Sequence, residues 1–282
     1  MGDLEVDTRV TGGDGHYTAD LSAAWEIWGP CGGYVAAVLL RAAGAHSDFP
    51  RPVSLAVQFL GVARFAPVDL HVETLQAGRR SQCLRVTMTQ EGRTISHAVV
   101  WTTVDPDGPA GIEYDWSARP DRPGPQGLPA IEDLATENRT TFAFWDNLEC
   151  RPFGWLDEHA WANERPLPPT LTNWYRFRPT PVFEDPFVEA ARVAMLCDLM
   201  GWPSVVRALE PGLEEAWMAP NLDVTVTFHQ APEGSPFLLL DAESPVAAGG
   251  TIGSCGRVWS EDGRLLATSI QQMLARPVPR SS

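Results

Sequence analysis

The chain has 282 residues, of which 44% are hydrophobic and 20% charged, an ordinary composition for a soluble protein of one large or two moderate domains. Its formal net charge of −15 argues against nucleic acid or an anionic membrane surface as a partner. All 21 basic residues are arginines, which excludes catalysis by lysine, and the lack of a long apolar run argues against a membrane span.

The first residues and the cysteines indicate a cytoplasmic protein. Residues 1–16 are acidic and lack an apolar core, so they predict a frayed segment and no secretory signal. The five cysteines are far apart in the sequence: Cys31, Cys83, Cys150, Cys197 and Cys255. Because no C-x-x-C pair occurs and the histidines are scattered, we expect reduced thiols, no metal site and no cofactor.

The N-terminal half predicts one buried helix followed by an antiparallel meander. Residues 17–28 predict a strand, which a glycine-rich segment at 29–33 breaks. The apolar run at 34–43 predicts a helix that Gly44 ends. Alternating polarity and turn signals then predict four strands, at 53–62, 68–76, 81–90 and 94–104.

The C-terminal half predicts a similar order of elements after a linker rich in proline and glycine. Aromatic segments between residues 140 and 180 predict strands or packing loops. Asp185 and Pro186 begin a helix that is apolar nearly all round, and therefore buried, and Gly201 is expected to end it. Four strands are predicted to follow, at 222–230, 237–243, 251–260 and 265–274.

The two halves repeat each other. Four aligned pairs of segments carry the repeat: 53–59 with 222–228, 68–74 with 237–244 (allowing one insertion), 90–100 with 261–271, and 35–44 with 192–201. Each half is therefore one helix followed by an antiparallel sheet long enough to wrap it. The predicted division is an N-terminal domain at 1–104, a linker at 105–139 and a C-terminal domain at 140–282.

A carboxylate on the buried stripe of the second helix is the first candidate for chemistry. Asp198 falls in line with Phe187 and Ala194, and an unpaired buried carboxylate is costly. The second half carries two acids and two amides at positions where the first half does not: Asp198 over Arg41, Asn221 over Pro52, Asp223 over Ser54 and Gln271 over Val100. The repeat therefore predicts one polar site per chain, built by the C-terminal half.

Four segments and the order of the elements support a resemblance to a known family. The segments are GGYVAAVLLRAA, HVETLQAGRRSQ, NLDVTVTFHQ and EDGRLLATSIQQ. Over residues 20–276 the chain resembles the acyl-CoA thioesterase II family, whose fold is a double hotdog. The resemblance implies an α+β fold in which two central helices are each wrapped by an antiparallel β-sheet. It also implies hydrolysis of an acyl-CoA thioester by base-assisted attack of water.

The resemblance carries three catalytic roles to this chain. Similar thioesterases hold a water with an aspartate at the end of the second helix, a hydroxyl or amide at the start of the next strand, and a glutamine on the last strand. These positions are Asp198, Asn221 and Gln271 here. Family members often have threonine at the second position, and Asn221 departs from that pattern, although its amide can still donate and accept hydrogen bonds.

The substrate and the partners follow from the same interpretation. Backbone N–H groups at Gly32 and Gly33 are expected to bind the oxyanion, and Arg79 with Arg80 is the obvious pair for phosphates. We expect acyl-CoA as the substrate, no nucleic acid partner, and a homodimer or higher homo-oligomer formed through sheet edges.

Simpler interpretations of these residues are also compatible with the sequence. Alone, Asp198 is more often a satisfied core acid, and Cys31 is more often a small buried thiol than a thiolate at a helix start. Asp223 shares a strand face with Asn221 by alternation, which makes it the rival base. The alternative function is a non-catalytic hotdog protein that binds acyl-CoA or a protein partner, because a fold does not fix a function.

Overall fold

Two buried helices lie side by side at the centre of the protein, which a computed structural model describes for residues 1–104, 114–133, 142–153, 166–199, 201–210 and 212–278. The two ends of the predicted linker at 105–139, residues 105–113 and 134–139, lie outside these described residues. The division into domains at 1–104 and 140–282 therefore stays a prediction.

The central helices are α2, Gly32–His46, and α3, Pro186–Leu199. Gly33 lies against Met195 and Gly44 against Phe187, so the two helices run antiparallel and their backbones approach closely. Every residue of α3 from Phe187 onward is buried, and most of α2 is buried too, as the sequence predicts.

The helix end predicted at Gly44 is wrong, whereas α3 ends at Leu199, just before the stop predicted at Gly201. Gly44 lies inside α2, because a Cβ atom there would come within 2.5 Å of the Phe187 ring, so the glycine serves the helix contact and not a stop. Gly201 begins a second short helix, α4 at Gly201–Val206, immediately beyond α3. A Cβ atom at Gly201 would lie 2.1 Å from the Gln271 amide nitrogen, so this glycine too marks a close approach.

Within the described residues, strands from both halves form one continuous antiparallel sheet of twelve strands. The N-terminal strands are β1 Thr11–Gly13, β2 His16–Asp20, β3 Arg51–Phe59, β4 Pro67–Ala77, β5 Ser81–Gln90 and β6 Arg93–Thr103. The later ones are β7 Leu148–Pro152, β8 Thr170–Phe177, β10 Asn221–Phe228, β11 Phe237–Ala248, β12 Thr251–Ser260 and β13 Leu265–Leu274, while β9 Trp217–Met218 and β14 Arg276–Pro277 form a separate pair.

The strand order confirms the internal repeat. The order β2-β4-β5-β6-β3 on one side of the sheet is matched by β8-β11-β12-β13-β10 on the other. The halves join where β3 pairs with β10, with Ala56 opposite Thr225 at the centre of the junction. Helix α2 packs against β3 to β6, and α3 packs against β3 and β10 to β13. The two predicted wrapping sheets are thus one sheet that encloses both helices.

The N-terminal segment is ordered, so the prediction that residues 1–16 are frayed is wrong. It forms the short helix α1, Leu4–Asp7, and then strand β1. The Gly2 amide donates to the buried side chain of Asn147 at 2.6 Å, and Leu4 is buried in the main core. The strand predicted at 17–28 ends at Asp20, because Ser22 caps a 3-10 turn at Ala23–Trp25.

No helix in the described ranges is long and apolar enough to cross a membrane. A further short α-helix, α5 at Leu213–Ala216, leads into the small β9–β14 pair.

Candidate active site

Asp198 lies near the C-terminal end of α3, where it faces the first turn of α2. Its side chain is buried, with 7% of the residue exposed. Gly32 leaves the room that the carboxylate needs, because a Cβ atom there would lie 2.9 Å from one carboxylate oxygen and 3.0 Å from the other. The positive end of the α2 dipole therefore faces a negative charge, which is the favourable orientation.

Asn221 makes the shortest described contact with this carboxylate. Its Nδ2 donates to Asp198 Oδ1 at 2.6 Å and approaches the Asp198 carbonyl oxygen at 3.3 Å. Asn221 begins β10, and the pairing of β10 with β13 shifts register between Asn221 and Asp223. Such a bulge re-aims a side chain, and here it accompanies the turn of Asn221 toward the core. The matching strand β3 carries a shift at the equivalent place, between Pro52 and Ser54.

Gln271 completes the polar cluster from β13, where it pairs with Val224 of β10 and is buried. In one orientation its Oε1 accepts from Asn221 Nδ2 at 3.2 Å. Rotating the amide instead places Oε1 3.2 Å from the Gly201 N–H and Nε2 3.3 Å from the Asp198 carbonyl. Asp198, Asn221 and Gln271 are thus brought together from three elements far apart in the sequence.

Burial raises the pKa of Asp198 to about 6, well above its usual range. Hydrogen bonds from Asn221, from the Gly33 backbone N–H and from the Cys31 thiol oppose the rise, because each stabilises the carboxylate. A carboxylate with this pKa is largely ionised at neutral pH yet far more basic than an exposed one. That balance suits a general base.

Cys31 directly precedes α2, and its sulfur lies 3.9 Å from Asp198 Oδ2. Burial raises the pKa of this thiol to about 12, and the Asp198 charge adds to the rise. The thiol therefore stays protonated, as the simpler interpretation from the sequence has it.

Replacing Cys31 by alanine is expected to leave most of the turnover, because a protonated thiol can only donate a weak hydrogen bond to Asp198. Thiol release from a medium-chain acyl-CoA by Cys31→Ala measures this. Loss of nearly all turnover in a variant with a normal circular dichroism spectrum would instead assign the thiol a direct role.

Asp223 does not share the face of Asn221, so that prediction from simple alternation is wrong. The register shift at Leu222 separates the two side chains, and Asp223 Oδ1 accepts from the backbone N–H of Gln272 at 3.1 Å. The buried residues that follow it on β10 are Val224 and Val226, so Asp223 lies on the outer side of the sheet.

The other predicted substrate-binding residues lie in two different places. Gly32 and Gly33 lie at Asp198, and the Gly33 N–H already donates to that carboxylate. Arg79 and Arg80 lie in the exposed turn between β4 and β5. The Arg80 carbonyl accepts a hydrogen bond from Thr103, which pairs with Arg51, the first residue of β3. The candidate site lies near Phe59, the last residue of β3, so the two arginines lie at the opposite end of that strand.

Phe59 is a site residue that the sequence interpretation missed. Its ring carbon Cζ lies 3.2 Å from the position of a Cβ atom at Gly32, so the ring covers the glycine beside Asp198. The repeat offered a signal, since Phe59 aligns with Phe228 in the other half. Among the described residues, no group of three or more histidine, cysteine or acidic side chains is placed to hold a metal ion.

At the position equivalent to Asp198, the first half has an ion pair. Arg41 on α2 contacts the carboxylate of Asp185, which also caps α3 by accepting from the Phe187 N–H at 2.8 Å. The two helix ends are thus used differently: the start of α2 faces a buried carboxylate, while the start of α3 is sealed by a salt bridge.

Two family models match this chain. One, described as the acyl-CoA thioesterase N-terminal domain, matches residues 21–103, and the other, described as the acyl-CoA thioesterase C-terminal domain, matches residues 119–275. No curated protein sequence matches the chain.

Solved structures share the fold. A conserved protein of unknown function with a hot dog fold from Alicyclobacillus acidocaldarius is 24% identical, with a TM-score of 0.79 and 98% of each chain covered. The acyl-CoA thioesterase II TesB2 of Mycobacterium marinum is 23% identical, with a TM-score of 0.76, and the match covers 99% of this chain and 100% of that one. The tesB protein of Mycobacterium avium subs paratuberculosis is 23% identical, with a TM-score of 0.77, and the match covers 97% of this chain and 98% of that one. The predicted α+β double hotdog fold is confirmed.

Proposed function

We propose, since this chain belongs to the acyl-CoA thioesterase family, that it hydrolyses the thioester of a fatty or related acyl-CoA. The observation that carries the proposal is the buried Asp198 carboxylate, which accepts from Asn221 at 2.6 Å and faces the start of α2. Because a thioester has a good leaving group, a positioned base and a water are sufficient for the reaction.

The chemistry assigned to Asp198 is proton transfer. As a water oxygen bonds to the thioester carbonyl carbon, the carboxylate takes a proton from that water and a tetrahedral oxyanion forms. Collapse of the oxyanion breaks the carbon–sulfur bond, and protonated Asp198 returns the proton to the sulfur. The products are the free acid and CoA, and the aspartate is again ionised.

Hydrogen-bond donors around Asp198 divide between three tasks in this proposal. Asn221 holds the carboxylate, and the buried Gln271 amide orients the water next to it. The N–H of Gly32, at the start of α2, is the proposed donor to the developing oxyanion, because the Gly33 N–H is directed at Asp198.

The rate should depend on the ionisation of Asp198. Because its pKa is about 6, kcat/KM is expected to rise with pH, to fall about tenfold per unit below that pKa, and to level off above it. Thiol release measured from pH 4.5 to 8.5 at constant ionic strength tests this. A profile that is still flat at pH 4.5 would mean that the base is an ordinary exposed carboxylate or another group.

Replacing Gln271 by alanine is expected to lower kcat by about tenfold, since orientation of the water is weakened while the base remains. The neighbouring Gln272→Ala is the matched control, because successive side chains of a strand point to opposite faces of the sheet. The backbone N–H of Gln272, which donates to the outward-facing Asp223, is unchanged in this variant. Equal losses in both variants would count against a role specific to Gln271.

Thiol release from a panel of acyl-CoA esters of different chain lengths tests the function itself. The proposal expects catalytic release from at least one member of the panel. Binding of acyl-CoA without any release would favour the non-catalytic hotdog protein, which is the alternative function.

A further inference from the structure

A cavity lies at the other end of the central helices, far from Asp198. Its volume is about 240 Å³, and it opens between the start of α3, the start of β3 and the end of β10. The lining is mainly apolar and includes Pro52, Ala190, Val193 and Phe228. An apolar cavity of roughly 150 Å³ holds benzene, so this one has room for a ring or a medium-length chain.

The internal repeat makes this cavity the counterpart of the candidate active site. Pro52 aligns with Asn221 and Phe228 with Phe59, and the helix alignment places Glu189 over Gly32. Gly32 and Phe59 contact each other beside Asp198, while Glu189 and Phe228 both line the cavity.

A second pair of positions gives the same correspondence. Gly29 lies against Val62 near the active site, with 3.1 Å between a Cβ atom built on the glycine and Val62 Cγ1. The aligned residues Pro186 and Ala231 both line the cavity. The cavity thus occupies the place in the first half that the active site occupies in the second.

The positions aligned with the proposed catalytic residues carry other side chains in this counterpart. Arg41 stands in place of Asp198 and pairs with Asp185, so no base faces the cavity from that position. Pro52 replaces Asn221. The Gly32 position holds Glu189, whose carboxylate accepts from the Phe183 N–H at 2.6 Å and pairs with the buried Arg192. The shape of a binding site is retained here without its catalytic groups.

Arginines lie at the same end of the sheet as the cavity. Arg51 lines it, and Arg51 pairs with Thr103, which in turn pairs with Ser81 next to Arg80. Two strand spacings place Arg80 about 10 Å from Arg51. The exposed pair Arg79 and Arg80, which the sequence marks as a phosphate site, is therefore within reach of a ligand in this cavity.

We propose that this cavity is a second, non-hydrolytic site for an acyl-CoA, with the acyl or pantetheine part in the apolar pocket and the phosphates at Arg79 and Arg80. The proposal rests on the proposed function, which makes the aligned site of the other half an acyl-CoA site. It gives each chain one site that hydrolyses and one that only binds.

Equilibrium dialysis of the full chain with a non-hydrolysable thioether, S-octyl-CoA, tests the inference by stoichiometry. The wild-type protein should bind two molecules per chain. Ala190→Phe, which fills the cavity, should bind one and should retain its turnover at low substrate concentration.

Charge reversal at the exposed pair provides a test that does not touch the core. Arg79→Glu with Arg80→Glu should weaken one of the two sites about tenfold and leave KM unchanged. Arg85→Glu with Arg257→Glu, on the outer face of the sheet, makes the same change in net charge and should leave both sites intact.

The outcomes separate this inference from the proposed function. Suppose that the protein hydrolyses acyl-CoA but binds only one thioether per chain, and that neither Ala190→Phe nor the Arg79/Arg80 reversal changes that binding. This result would overturn the second site and leave the proposed function standing. If the wild-type protein hydrolyses no acyl-CoA yet binds two thioethers, the proposed function fails and the second site stands. If Ala190→Phe does not fold, the exposed arginine variant decides.

Discussion

Replacing Asp198 by asparagine is expected to lower turnover by about 10²–10⁴-fold, because the change keeps the shape of the side chain and removes the base. The amide still fits between Asn221 and the start of α2, so the fold should persist. Thiol release from a medium-chain acyl-CoA measures the loss, and circular dichroism checks the fold.

Asp223→Asn is the matched control for this variant. Its carboxylate is directed at the backbone of Gln272 and not at Asp198, so near-normal rates are expected. A normal rate in Asp198→Asn together with an inactive Asp223→Asn would move the base to Asp223.

Asp198→Asn should also be more stable than the wild-type protein at neutral pH. The pKa of Asp198 is raised to about 6 from 3.8, so ionising this carboxyl opposes folding, by up to about 3 kcal/mol. Its contribution is favourable below pH 4 and is lost as the pH rises through 6. Denaturant unfolding should therefore show Asp198→Asn gaining over the wild-type protein between pH 4 and 7.

Replacing Gly32 by alanine is the second large effect that we expect, a loss of about 100-fold in kcat. The added Cβ atom would lie 2.9 and 3.0 Å from the two oxygens of Asp198 and 3.2 Å from the Phe59 ring. Because the carboxylate must move to make room, the base is displaced, and a displacement of about 1 Å costs on this order. Single-turnover kinetics with circular dichroism separates this from unfolding.

Gly253→Ala is the matched control, since a Cβ atom there meets nothing closer than the Gln272 side chain at 3.9 Å. It should retain normal turnover. A fully active Gly32→Ala would show that Asp198 is free to move without loss, which would contradict a positioned base.

Much of the candidate site was predictable because the repeat compares the chain with itself. The alignment of 35–44 with 192–201 singled out Asp198, and the strand alignments singled out Asn221 and Gln271. The structure then places these side chains within hydrogen-bond distance of one another.

What escaped prediction depends on contacts between distant segments. Gly44 has the local pattern of a helix stop, but the Phe187 ring from the other helix determines its role. In the sequence Asp223 stands two residues after Asn221, as on one strand face, but the register shift at Leu222 separates the two side chains. The order of residues 1–16 depends on the Gly2–Asn147 contact, which joins residues 145 positions apart in the sequence.

Single-turnover hydrolysis of a medium-chain acyl-CoA in ¹⁸O-labelled water, with enzyme in excess, tests the central claim most directly. If Asp198 directs a water onto the thioester, one equivalent of thiol is released and the acid carries one ¹⁸O atom after the first turnover. Failure to release thiol from any acyl-CoA, or release of an unlabelled acid whose oxygen came from an enzyme carboxylate, would contradict it.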